Sequence, residues 1–258
     1  MNRLKRLFVR ENRLLWFAGG GAFCLAAVAG APATLMEAIL EANSPLLEIG
    51  GAEGTLWRGG FAEVAYNSMA LGRMNYKLKP AQFLGGRLAA DVMSADGALV
   101  GRGRLALTLA GFKATKISVQ FRLSAIRNYT LFGVPYQGFA TLTAQSLELS
   151  RNGCKAVDVK VSTNALDGVV RIWSGASLPL NGEVHCKDGE LTLALSGENA
   201  DGVVRVDAAL ASDLSYTMTV SAEPNRAEVG SALRHFGFEG GESRFSLRAV
   251  GKLKGLTS

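Results

Sequence analysis

A chain of 258 residues fits one large domain or two small ones, and a hydrophobic content of 48% with a mean hydropathy of +0.17 excludes a disordered tail protein. Its 31 glycines against 6 prolines read as many turns and lean towards an all-β fold. The formal charge of +6 does not mark a nucleic-acid binder: Arg3, Lys5, Arg6, Arg10 and Arg13 against Glu11 place +4 in residues 1–16, and the +2 left elsewhere is too little for a groove that neutralises several phosphates.

In chain order the first element is a basic stub, residues 1–13, expected to be cytoplasmic. From Leu14 to Met36 run 23 residues without a charge. As a helix they would reach roughly 34 Å, enough to cross a hydrocarbon core of about 30 Å. The basic cluster ahead of this span stays on the cytoplasmic side by the positive-inside rule, so residues 37–258 are expected to be exported. Ala27-Val28-Ala29 and Ala29-Gly30-Ala31 also supply the small-x-small pattern of a cleaved signal peptide, so cleavage stays open beside anchoring, the favoured reading. Phe23 before Cys24 is too large for a lipidated cysteine, and Cys24 is read as a small apolar helix residue.

Past a short stretch of helical character, EAILEANSPLL, the sequence becomes a series of period-two segments. In Ile117–Ala125 every odd position is apolar and every even one polar, as half-buried antiparallel strands require. The same alternation marks Leu105/Leu107/Leu109, Leu191/Leu193/Leu195, Val204/Val206/Ala208/Leu210, Tyr216/Met218/Val220 and Phe245/Leu247/Ala249. Asp96-Gly97, Asp167-Gly168, Asp188-Gly189 and Asp201-Gly202 are expected hairpin turns joining neighbours in sequence order.

Two short helices interrupt the strands. Pro80 opens a turn that Gly85-Gly86 ends, and Asn225 with Glu228 resembles a capping box starting a helix whose Val229, Ala232, Leu233 and Phe236 share a face before Gly237. Residues 84–101 and 180–197 echo each other, a hint of two similar halves at about 37–150 and 151–258. The expected fold is mainly β: an N-terminal transmembrane helix, then a large curved antiparallel sheet, partly open and barrel- or groove-like, with one or two short helices.

Cys154 and Cys186 both fall in the exported part, where an oxidising compartment favours a disulfide between them. No catalytic set, metal shell or cofactor motif emerges. Two cysteines without histidines at ligand spacing do not fill a zinc site, and His185 and His235, the only histidines, join no triad. Gly175-Ala-Ser177-Leu-Pro179 lacks the second glycine of a nucleophile elbow, and neither Gly19-Gly20-Gly21 nor Gly101-x-Gly103 continues as a phosphate loop. Glu37 and Glu41 share a helix face and read as ordinary solvated or membrane-proximal charges.

The text Gly54-Thr55-Leu56-Trp57-Arg58-Gly59 resembles the Gly-Thr-Leu-Trp-x-Gly signature of the type II secretion system protein N family, the general secretion pathway N component. The order of features agrees along nearly the whole chain: Pro32 near the end of the apolar span, the motif residues Gly54, Thr55, Leu56, Trp57 and Gly59, Tyr76-Lys77-Leu78-Lys79-Pro80, Phe83-Leu84-Gly85, and Leu233-Arg-His-Phe236-Gly237. From the residue alone, Trp57 reads as a core anchor, with an exposed contact residue as the alternative.

The resemblance implies a non-enzymatic, single-pass inner-membrane accessory subunit of the machine that moves folded periplasmic proteins across the outer membrane. It would partner other secretion subunits of the inner membrane or periplasm, with no cofactor and no nucleic acid. The family is also similar to AsmA-like proteins, whose curved sheets are associated with lipid. A lipid-binding or lipid-transfer groove is therefore the alternative function, with membrane lipid as its ligand.

Overall fold

A computed structural model describes residues 19–23, 26–125, 130–131, 134–135, 137–150, 153–173, 176–241 and 243–252. The stub 1–13, the first part of the expected span and Cys24 lie outside the described residues. Residues 19–23 and 26–29 are helical, and the chain turns at Gly30. Helix α1, Thr34–Asn43, then starts anew, so Thr34–Met36 are not the end of one continuous 14–36 helix as expected. Pro32 explains the break: it lacks the N–H that a continuing helix would bond, and it disfavours helical backbone at Ala31. Among the described residues no helix is long and apolar enough to cross a membrane.

The strands follow in order. They are β1 Leu47–Thr55, β2 Arg58–Tyr66, β3 Met69–Leu78, β4 Arg87–Ser94, β5 Leu99–Thr108 and β6 Gly111–Arg122, with a 3-10 helix at Pro80–Gly85 between β3 and β4. A small pair, β7 Thr130–Leu131 and β8 Val134–Pro135, precedes β9 Phe139–Ser150 and β10 Gly153–Thr163. Helix α2, Asp167–Trp173, leads to β11 Leu180–Lys187, β12 Glu190–Asn199, β13 Gly202–Leu210 and β14 Ser215–Pro224. Helix α3, Ala227–His235, precedes β15 Glu239–Gly240 and β16 Phe245–Lys252.

Among the described residues, fourteen strands form one open antiparallel sheet in the order β1-β2-β3-β4-β5-β6-β9-β10-β11-β12-β13-β14-β16-β15, with β7-β8 apart. Sequence neighbours pair almost throughout, as the turn signals suggest. The register explains why the sheet has two unlike faces. Ile117, Ala144, Val159, Val184, Leu193, Ala208, Met218 and Ala249 stand opposite one another in an apolar row across eight strands. One residue along, Ser118, Thr143, Lys160, Glu183, Ala194, Asp207, Thr219 and Arg248 form the row on the other face, polar except for Ala194. A slip of one residue in any strand would reverse its faces, so the alternation itself fixes the pairing.

The apolar face is packed at its two ends. At the first, Phe61, Val64, Tyr76, Leu78 and Ala33 form a buried cluster, with Met36 and Leu40 of α1 against it. At the last, Ala222 and Phe245 of the sheet pack with Leu233 of α3 and Phe238 just beyond it.

Four local expectations need correction. Leu109 lies past β5 in the turn to β6 and is 96% exposed, because side-chain period does not show where a strand stops. Asp167-Gly168 opens α2 rather than a hairpin: the Asp167 carboxylate accepts from Leu178 N at 2.9 Å and Ser177 Oγ at 2.8 Å, which ties the helix start to the loop after it. The capping box does not form, since α3 has Arg226 at its N-cap with no side-chain cap and Asn225 Nδ2 donates instead to Ala200 O at 3.2 Å. Ile117–Ala125 is strand only to Arg122, after which Leu123–Ala125 is a 3-10 turn.

Candidate functional site

The motif residues occupy the tip of the first hairpin. Gly54 pairs with Gly59 and Thr55 with Arg58, leaving Leu56 and Trp57 as the two-residue turn. Thr55 Oγ1 accepts from Arg58 N at 3.2 Å and closes the turn from inside. Gly54 sits at φ +89°, where a Cβ would also come within 2.6 Å of Arg58 O, so both backbone conformation and space call for glycine there.

This tip grips the end of the N-terminal helical segment. The Trp57 indole Nε1 donates at 2.7 Å to Val28 O, a carbonyl at the helix end that also accepts a longer bond from Ala31 N at 3.4 Å. Leu56 N donates to Ala31 O at 2.7 Å, Ala33 N donates to Gly54 O at 3.2 Å, and Pro32 bridges Thr55. The Trp57 ring meets Phe83 edge-on, with centroids 5.9 Å apart at 84°. Trp57 is therefore neither a fully buried anchor nor a free surface contact: half-buried, it packs on the first core cluster with its ring and holds the preceding segment with its nitrogen.

Gly59 lets this junction close. A Cβ there would lie 2.6 Å from Glu53 O, 2.8 Å from Tyr76 Oη and 3.1 Å from Ala33 Cβ. The space is taken by the buried Tyr76, whose hydroxyl donates to Thr55 O at 3.0 Å and whose ring lies 5.2 Å from that of Phe61. Burial pushes the Tyr76 phenol above its ordinary value, so it stays a donor at neutral pH. Glu41, read from sequence as a solvated charge, accepts from Ile49 N at 3.0 Å and occupies an outward-facing edge donor of β1. Sequence reasoning missed Glu41 and the Val28 carbonyl; the pointer to the second was the Gly30–Pro32 interruption of the apolar run.

Cys154 and Cys186 are joined, with Cα atoms 5.8 Å apart. The β10–β11 ladder runs from Thr163↔Leu180 to Val159↔Val184, and the disulfide joins the two strands beyond its end. His185 is exposed and 3.5 Å from Glu183, and His235 lies against Phe236. Ser177 donates to an aspartate, not to a histidine, and among the described residues no group of three or more His, Cys, Asp or Glu could hold a metal.

A cavity of about 360 Å³ lies between α2, α3 and the sheet, lined by Leu166, Val170, Val206, Met218, Val229 and Leu247 among others.

A family model described as type II secretion system (T2SS), protein N, matches residues 45–248, a stretch that includes the hairpin tip, the disulfide and both later helices. A relative from Vibrio cholerae serotype O1 (strain ATCC 39315 / El Tor Inaba N16961), named type II secretion system protein N, is 40% identical over 68 residues, 25% of this chain. The match spans 27% of that relative's length. No solved structure matches. With most of its length matched by the family model, the chain belongs to the type II secretion system protein N family.

Proposed function

We propose that this chain is a non-enzymatic accessory subunit of a type II secretion system, tethered to the inner membrane by its N-terminal apolar segment and presenting the sheet in the periplasm for docking or assembly. The observation that carries the reading is the junction at the motif. Trp57, Leu56 and Gly54 hold residues 28–33 directly, which ties the orientation of the sheet to that of the preceding segment. A scaffold that positions partners relative to a membrane needs such a fixed joint, whereas a freely diffusing binder does not.

The test is release of a secreted enzyme from cells lacking the gene, complemented by the wild type or by Trp57→Ala. The expected result is loss of release on deletion, rescue by the wild type and poor rescue by the variant at equal protein level. Release that is unchanged on deletion overturns the reading.

The second reading, a lipid-binding or lipid-transfer groove, is favoured by the apolar cavity under α2 and α3, whose volume falls within the range of small-ligand pockets. Native mass spectrometry of the purified chain separates the two readings: copurifying acyl lipid lost on Val206→Trp supports the groove, and a lipid-free chain removes it.

A further inference from the structure

The sheet sorts its charges by register. Residues after the stub carry only a small net charge, yet cations collect on the polar face of the first half. Arg58 stands opposite Lys77, Lys77 opposite Asp91, and Asp91 opposite Arg104. Arg102 stands two residues before Arg104 and, by its pairing with Met93 on β4, on the same face, and Lys116 comes from the neighbouring β6.

The five cations among them rim an open depression of about 1250 Å³ whose acids, among the described residues, are Glu53 and Asp91. Asp91 is already engaged, 2.8 Å from Arg104 and 2.9 Å from Lys79. Arg58, Lys77, Arg102 and Lys116 are exposed and make no ion pair among the described residues.

Its dimensions and lining narrow the occupant. The depression crosses the sheet from β1 to β9, seven adjacent strands, which at about 4.8 Å per step is roughly 29 Å. That length suits about eight or nine residues of extended chain. Between the cations lie Asn75, Ser118, Thr143 and Gln145, uncharged groups able to bond a peptide backbone. Apolar side chains such as Met93, opposite Asn75 and Arg102, also line the depression, so it is the charged rim that favours an acidic peptide over a lipid tail.

We propose that this trough docks an extended acidic segment of a partner protein, the cations supplying attraction and register and the amide and hydroxyl side chains holding the backbone. The proposal deepens the accessory-subunit reading by naming the chemistry of the partner, and it rests on that reading only for the partner being a protein.

The test uses the full chain in detergent micelles and fluorescence anisotropy with a labelled ten-residue peptide of alternating Glu and Ser, against a Lys/Ser peptide of equal length. Expected are preference for the Glu/Ser peptide, weakening with added salt, and at least about a tenfold loss in Lys77→Glu/Arg102→Glu. Lys155→Glu/Lys187→Glu, a charge reversal away from the trough, is expected to bind as the wild type does. Lys77→Gln/Arg102→Gln is the second variant should the reversal fail to fold; it is expected to lose at least about threefold with an unchanged melting temperature.

Equal affinity in wild type and trough variants, or no preference over the Lys/Ser peptide, overturns the proposal. So does binding of phosphatidylglycerol vesicles through Lys77 and Arg102 by a chain that ignores the peptide, which would assign the trough to a membrane surface. Secretion that survives deletion while peptide binding holds would sink the subunit reading and leave the trough; the reverse pattern would sink the trough alone.

Discussion

The two ends of the sheet are finished by different means. At the first, the edge is sealed by backbone and side-chain hydrogen bonds: Glu41 occupies Ile49 N, Pro32 bridges Thr55, and the Leu56-Trp57 turn holds the segment before α1. At the last, β16 is covered by a strand of only two residues, β15, and packing comes from α3 laid on the apolar face, with Phe238 N bonded to Leu233 O at 3.1 Å to end that helix. The first end is built as a joint, with its polar groups spent on fixing another segment in place. The last is built as a lid over an apolar cavity.

Removing the disulfide should produce the largest change, and it should fall on the second half. Cys154→Ser/Cys186→Ser frees a loop closed across a sequence separation of 32 and is expected to cost on the order of 3 kcal/mol, read as a lower denaturant midpoint. Protection of β1–β3 amides in native-state hydrogen exchange should be lost no faster than in the wild type, and equal loss at both ends would show that the two regions melt as one unit.

Gly59→Val attacks the joint instead. Its side chain meets Glu53 O, Tyr76 Oη and Ala33 Cβ, so overpacking of about 2–3 kcal/mol is expected, with faster proteolysis around residues 30–33. Trp57→Phe is gentler: it keeps an aromatic ring beside Phe83 and removes the bond to Val28 O, a loss of about 1 kcal/mol. If Trp57→Phe and Trp57→Ala fall equally, the hydrogen bond rather than the ring carries the joint.

These contrasts show which parts of the molecule were legible beforehand. Strand identity and faces follow from short-range alternation, and Ile117–Arg122 and the Asp188-Gly189 hairpin appear where the residues place them. The cysteine pair was readable because Cys154 and Cys186 are the two cysteines that follow the apolar segment, whereas the adjacency of β10 and β11 that lets them meet is seen only in the fold. Element ends were not, as Leu109 and Asn225 show, because they depend on which backbone groups find partners. The joint was hidden because it links Trp57 to a carbonyl 29 residues earlier. The trough was hidden for a related reason: Arg58, Lys77, Arg102 and Lys116 are scattered in sequence and meet only once register is set.

The smallest expected effect concerns Asp91, the acid that register sets between Lys77 and Arg104. Hydrogen bonds from Arg104 first and Lys79 second hold the Asp91 carboxyl below the usual carboxylate range, against a weaker opposing effect of burial. A folded-state value below the unfolded one means that the ionised form is favoured by folding. The contribution is then present above the ordinary carboxylate pKa of about 4 and is lost as pH falls through the folded value. With the side chain 42% exposed, solvent screening keeps it below about 1 kcal/mol. Thermal melts of wild type and Asp91→Asn should therefore differ slightly at pH 7 and converge as pH falls through the folded-state value. The same substitution removes a negative charge from the trough, so at pH 7 Asp91→Asn should bind the acidic peptide more tightly even as it melts earlier. Stability and binding moving in opposite directions would separate the structural role of Asp91 from its effect on the trough; both falling together would mean that Asp91 holds Arg104 in the position the peptide needs.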